Sequence, residues 1–238
     1  MRNMIELSDI HVHYGTSHVV QGLSLSAARG EVLGIFGRNG VGKTTVLKTI
    51  AGWLKPSRGS ITFAGSPING LSPDRIARLG IGFVPEDRRI FPGLTVEENL
   101  TLGFMQAPRR AAAGNRAALA QIYEQFPRLR ERRAQAGTTL SGGEQQMLAM
   151  ARAMIGDAKL FLIDEPSEGL APMIVADVYR IIRNMKAGGC TILLVEQNVK
   201  SALEVCDRFV AIERGQVIRS GAAASDSDKA ELLKAIAV

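Results

Sequence analysis

The 238-residue sequence is poor in the residues that staple small folds or stack on nucleic-acid bases, with two cysteines, three histidines, one tryptophan and only 5% aromatics. Two cysteines cannot build a disulfide framework, and neither Cys190 nor Cys206 stands at a metal-ligand spacing from the other or from a histidine. Cys190 opens an apolar run and Cys206 continues the helical stripe of Val199, Ala202 and Leu203, so both are expected in core packing. His11, His13 and His18 cluster near the amino terminus in strand-like surroundings and are expected at the surface. No stretch approaches the roughly 18 apolar residues of a membrane span. The opening MRNMIELSDI carries Glu6 and Asp9 where an export signal needs apolar residues, so cytoplasmic residence is expected.

A net charge of +6 and a pI near 9.6 suit a nucleotide, a nucleic acid or an anionic surface as partner. Much of the excess lies in Arg109, Arg110, Arg128, Arg130, Arg132 and Arg133. No aromatic ladder is interleaved with them, so a solvated helix end is expected and a nucleic-acid partner is not.

Against these absences stands one dense motif, GRNGVGKTT: Gly37, Arg38, Asn39, Gly40, Val41, Gly42, Lys43, Thr44 and Thr45. It fits the phosphate-loop pattern G-x-x-x-x-G-K-[ST], follows an apolar run at residues 32–36 and opens a helical pattern. Glycines let backbone amides turn inward around phosphate oxygens, and the helix start adds a favourable dipole. Lys43 can reach the terminal phosphates and the Thr44 hydroxyl can ligate magnesium. The ligand implied is a nucleoside triphosphate.

Residues 4–10, 18–25 and 60–63 alternate like half-buried strands and suggest a small antiparallel layer. Runs at 32–36, 81–84, 160–163, 191–195 and 209–212 are nearly continuous apolar segments, the mark of strands buried on both faces. Helical patterns between them, as in Ile174, Val178, Ile181, Ile182 and Met185, imply crossovers and hence a largely parallel sheet with helices on both sides. From about 95 to 155 only helical patterns occur, so a helical lobe is expected there, with residues 107–115 as a surface connection. A hairpin around Arg214 and Gly215 and a last helix over 226–236 complete the chain. Tyr14 precedes a turn glycine and by itself reads as half-buried packing.

A phosphate loop needs a carboxylate for its metal, and Asp164 ends a buried run. Glu165, next along, is placed to polarise an attacking water. Ahead of the helical pattern at Met147 stands LSGGEQQ, residues 140–146, in which Ser141 and Glu144 make a capping box. Gly142 and Gly143 lie outside that explanation and leave open amides at a second helix start, a second place for an anion.

The ordered set of Tyr14, the phosphate loop, LSGGEQQ, residues 160–165 and residues 194–198 resembles the ATP-binding cassette ATPases over essentially the whole chain. VPEDRRIFPGLTVEENL, DEPSEGLAP and VEQN resemble, more narrowly, the ATPase subunits of branched-chain amino-acid importers. The resemblance implies a RecA-like α/β phosphate-loop NTPase fold in one ATPase domain spanning 1–238, with a core at about 1–94 and 156–238 and the lobe between them. It implies ATP and magnesium as cofactors, with ATP held between two ATPase chains. Ser141, Gly142, Gly143 and Glu144 of one chain then face the phosphates on the loop of the other. It also implies adenine stacking on Tyr14, a permease helix docked on residues 86–98, and a periplasmic binding protein served indirectly. The chain would then sit peripherally on the cytoplasmic membrane face.

Three positions depart from the general pattern. Glu86 replaces a glutamine that touches metal and water, and Gln197 replaces a histidine, keeping a donor that cannot titrate near neutral pH. Both recur in the branched-chain subgroup. Glu168 stands where that subgroup has an apolar residue, and a tolerated surface position is the expectation for it. The reading is an ATP-hydrolysing importer subunit: Glu165 as base with Lys43, Gln197 and Glu86 in the catalytic set, and Thr44, Asp164 and Glu86 serving the metal. The alternatives are a soluble scaffold ATPase without transport, and a weakly catalytic regulatory subunit.

Overall fold

The computed structural model describes residues 3–106 and 112–237. Two long strands come first, β1 (Asn3–Tyr14) and β2 (Ser17–Ala28), each presenting alternate residues to the interior. The fully buried β3 (Val32–Phe36) runs through a glycine-rich loop into α1 (Lys43–Ile50). There follow β4 (Arg58–Phe63), the short β5 (Ser66–Pro67), α2 (Pro73–Arg78) and β6 (Ile81–Val84). Among the described residues the α-helices that come next are α3 (Val96–Thr101), α4 (Ala112–Gln125), α5 (Pro127–Glu131) and α6 (Gly142–Met154). The chain then alternates through β7 (Leu160–Asp164), α7 (Pro172–Ala187), β8 (Thr191–Val195), α8 (Val199–Leu203), β9 (Arg208–Glu213), β10 (Gln216–Ala222) and α9 (Asp226–Ala237).

Two sheets result, an antiparallel one in the order β2-β1-β4-β5 and a mixed one in the order β10-β9-β3-β8-β7-β6. Strands β9, β3, β8, β7 and β6 are parallel, and only β10 runs against its neighbour. The large sheet separates two cores, and its strands divide between them residue by residue. Leu160 and Leu162 join the core shared with β1, β2 and α1, while Phe161 and Ile163 join the core shared with α6 and α7. Leu193 and Val195 of β8 face the first core, Ile192 and Leu194 the second. Successive side chains of a strand point to opposite faces, so covering both faces demands an unbroken apolar run.

The β9–β10 hairpin turns at Arg214 and Gly215, with φ of 48° and 75°. A Cβ on Gly215 would run into the carbonyl of Val19, so only glycine lets the turn close on β2. Gly215 also donates to the carbonyl of Val41 (3.0 Å), which ties the hairpin to the phosphate loop.

Two expectations need correction. Residues 112–115, read as loop, are the first turn of α4, because an alanine-rich run has high helix propensity; residues 107–111 of that stretch, with Arg109 and Arg110, lie outside the described residues. The histidines lie unburied as expected and contact one another there: His13 and His18 stack with centroids 4.1 Å apart, and His11 Nδ1 meets His18 Nε2 at 3.0 Å. Arg132 turns from the solvated run to pair with Glu144 at 2.8 Å, while Arg128, Arg130 and Arg133 stay exposed.

Arg152 of α6 fixes the lobe to the segment after β6. It donates to the carbonyls of Arg89 (2.7 Å) and Arg88 (3.0 Å) and lies over the Phe91 ring. Asn99, fully buried, receives the Phe91 amide at 2.9 Å and donates to the Thr95 carbonyl at 3.0 Å. Buried polar groups need such partners, and here they set the path of residues 88–95.

Candidate functional site

The end of β3 sets the phosphate loop against the ends of β7 and β8. Gly37 takes φ 152°, and a Cβ there would strike the carbonyl of Ile212, so the loop leaves the sheet by a path open to glycine alone. Gly42, φ 109°, is the residue before α1, and no side chain caps that helix. The first turn of α1 has no acidic residue, which leaves its amides free to meet an anion. Lys43 is only 4% exposed; its ammonium donates to the carbonyls of Gly37 (2.9 Å) and Arg38 (3.0 Å) and lies 3.5 Å from Glu165.

Thr44 donates through Oγ1 to Asp164 Oδ1 at 3.1 Å, joining the loop to the end of β7. Glu165 follows in the left-handed region at φ 45°, a conformation costly for a residue with a Cβ. Its amide donates to the carbonyl of Val195 (2.9 Å), and the amide nitrogen of Gln197 donates to its carboxylate at 2.5 Å. Two strand ends thus fix the backbone and the side chain of one glutamate.

A cavity of about 260 Å³ is lined by Asn39, Gly40, Lys43 and Thr44 of the loop region and by Glu86, Glu165, Glu168 and Gln197. Carboxylate oxygens of Glu86, Glu165 and Glu168 lie within 4.8 Å of one another. Glu168 is exposed, as expected of a surface position, but it also lines the cavity beside the phosphate loop. Its carboxyl is held above the usual range by a hydrogen bond shared with Glu165, then by burial and by the like charges of Glu165 and Glu86. A magnesium ion takes oxygen donors, and the Thr44 hydroxyl beside the Asp164 carboxylate, with Glu86 across the cavity, is an all-oxygen set that fits one.

Burial pushes the Asp164 carboxyl up to about 6, helped by Glu165 and Glu86 and opposed by the Thr44 hydrogen bond. Because the folded value is raised, the proton favours the folded chain. That contribution is fully present below the unfolded value of about 4 and is lost as pH rises through about 6. Asp164→Asn should therefore stabilise the metal-free, nucleotide-free chain above that pH by of order 2 kcal/mol, with the gain gone below about pH 4. Calorimetric melting across pH checks this, and a gain independent of pH would contradict it.

The LSGGEQQ stretch does not line this cavity. Ser141 caps α6 by accepting from the Glu144 amide, and the Glu144 carboxylate accepts from the Ser141 amide (3.0 Å) and hydroxyl (2.8 Å). Burial raises the Glu144 carboxyl, but these bonds and Arg132 outweigh it and hold it below the usual range. Gly142 lies under the Arg88 guanidinium, and Gly143 is required by packing, since its Cβ would sit 2.9 Å from Ile174 of α7. Tyr14, at the end of β1, is 46% exposed and also stands outside the cavity lining.

Glu196 was not among the expected site residues. It is 2% exposed, directly follows β8, and accepts from the amides of Ser167 (3.1 Å), Gln197 (3.0 Å) and Asn198 (3.4 Å). One buried carboxylate thereby joins the turn after Glu165 to the turn carrying Gln197. An acidic residue directly after a wholly apolar run was the signal for it in the sequence.

A parallel sheet feeding a glycine loop into a helix, with a carboxylate bonded to the loop threonine and a second carboxylate next to it, has the arrangement of a nucleoside triphosphatase site. The family model described as ABC transporter matches residues 20–168. The high-affinity branched-chain amino acid transport ATP-binding protein BraG of Pseudomonas aeruginosa is 40% identical over 215 residues, covering 90% of this chain and 91% of that protein. The lipopolysaccharide export system ATP-binding protein LptB of Haemophilus influenzae is 33% identical, covering 87% of this chain and 86% of that one. The dimeric structure of MJ0796, a bacterial ABC transporter cassette, superposes with a TM-score of 0.84 at 25% identity, over 92% of this chain and 99% of that chain.

The chain belongs to the ABC transporter family. It is an ATP-binding, ATP-hydrolysing subunit of a transporter. Such subunits pair with a second ATPase and work with membrane permeases.

Proposed function

We propose that this subunit powers import of branched-chain amino acids or a related small polar substrate. The observation that carries this reading is the 40% identity, over nine-tenths of the chain, to BraG. In it, ATP binds with its phosphates on the amides of residues 37–45, and Lys43 reaches the terminal phosphates. Glu165, oriented by Gln197, takes the proton of the attacking water. Thr44 and Asp164 hold magnesium, with Glu86 beside it; when bound, the ion neutralises charge developing on the transferred phosphoryl group. Ser141, Gly142, Gly143 and Glu144 meet the nucleotide held by a second ATPase chain, and Tyr14 stacks on adenine.

Coupling to the permeases is assigned to a cavity of about 570 Å³ between the sheet and the lobe. Trp53, Phe83, Phe91, Leu94 and Met105 line it, and Trp53, Phe91 and Met105 are exposed apolar residues that suit an inserted amphipathic helix. Among the described residues no helix is long and apolar enough to cross a membrane, and this reading places the chain peripherally on the cytoplasmic face with the permeases as its anchor. A periplasmic binding protein would select the substrate without touching this chain.

Phe91→Glu tests the reading. Permease subunits should co-purify with the native chain and be lost from the variant, while ATP binding stays within about twofold. A native chain that captures no permease would favour the soluble scaffold reading.

A further inference from the structure

Glu168 stands in a tight turn directly after the assigned base. Its amide donates to the carbonyl of Glu165 (3.2 Å), and Gly169 takes φ 66°. The turn brings the exposed Glu168 carboxylate within 4.8 Å of those of Glu165 and Glu86, into the lining of the cavity that Lys43 and Thr44 also line. Among the described residues lining that cavity, Lys43 is the one cation, against the carboxylates of Glu86, Glu165 and Glu168. Its ammonium is already shared between two loop carbonyls and Glu165, and the Gln197 amide is given to Glu165 as well. Glu168 thus adds an exposed carboxylate to a cavity whose one cation among its described lining residues is already engaged by other groups.

We propose that Glu168 is a specificity-determining residue of the nucleotide site, a carboxylate facing the terminal phosphate that makes triphosphate binding conditional on a divalent cation. The inference rests on the phosphate loop being the ATP site. A free triphosphate carries most of its charge at the terminal phosphate, and like charges a few ångströms apart in a partly enclosed cavity repel appreciably even when screened by water. A cation between them reverses that sign. A diphosphate ends one phosphate earlier and meets less of the field. The apolar residue of the branched-chain subgroup would impose no such condition, so this chain should discriminate between metal-bound and free ATP more sharply than a leucine at the same position allows.

Calorimetric titration of the full chain and of Glu168→Gln and Glu168→Leu with ATP and ADP, each in EDTA and in magnesium, decides the matter. In EDTA both variants should bind ATP about tenfold more tightly than the native chain, a gain that shrinks with added salt and with magnesium. ADP affinity in EDTA should change by less than about twofold, because the diphosphate lies farther from residue 168. Equal ATP affinity of the three proteins in EDTA overturns the proposal, and so does a gain for ADP as large as that for ATP. If magnesium-ATP binds the native chain and Lys43→Ala abolishes that binding, the site reading survives such a result. If the native chain binds no magnesium-ATP, both fail together.

Discussion

Replacing Glu165 with glutamine should leave magnesium-ATP bound and slow its hydrolysis by about 10²–10⁴-fold, the range over which a positioned general base contributes. The amide has the shape of the carboxylate but cannot accept the proton of the attacking water. The surroundings make the loss specific. The Glu165 backbone is held in the left-handed region by the hydrogen bond of its amide to the Val195 carbonyl, and its side chain is fixed by Gln197, which sets one orientation for the carboxylate. Phosphate release under saturating nucleotide, beside calorimetric binding, separates the two effects. Turnover within about tenfold of the native rate would remove Glu165 from the role of base.

Lys43→Ala should abolish nucleotide affinity. The ammonium is 4% exposed and is the one cation among the described residues of the cavity lining, so its removal leaves the incoming phosphates with the loop amides and no positive charge against the three carboxylates. At a nucleotide concentration about 1,000 times its dissociation constant, the native fold gains about 4 kcal/mol from binding, and the variant should gain nothing measurable. The variant also leaves Glu165 without its partner at 3.5 Å, so its melting without nucleotide must be recorded as the baseline. Lys43→Arg should fail too, because a planar guanidinium does not fit the volume that a buried ammonium fills. A nucleotide-dependent shift preserved in both variants would place the ligand elsewhere.

Much of the fold was legible because its cause is local. Strands buried on both faces cannot alternate, so the runs at β3, β7 and β8 identified a covered parallel sheet. The phosphate loop was legible because its glycines answer to backbone geometry, as Gly37 does by passing the Ile212 carbonyl. What depends on contacts between distant segments was not legible. Gly143 looked like an open amide and also answers to Ile174 on another helix, and Glu196 serves two loops that meet only in the folded chain. Glu168 is at the surface as expected, but nothing in its neighbours tells that the turn after Glu165 brings it into the cavity lining beside the phosphate loop. The helical start of α4 was missed for another reason: alanine and arginine together read as composition, when alanine's helix propensity was the informative part.

The mass of Glu165→Gln in solution, measured by light scattering with and without magnesium-ATP, bears most directly on the proposal that ATP joins two cassettes. With hydrolysis blocked, nucleotide bound on the loop of one chain should be met by Ser141, Gly142 and Gly143 of a second, and the 25.6 kDa chain should double its mass only when magnesium-ATP is present. A chain that binds magnesium-ATP to saturation and stays at its single mass at every concentration would contradict that.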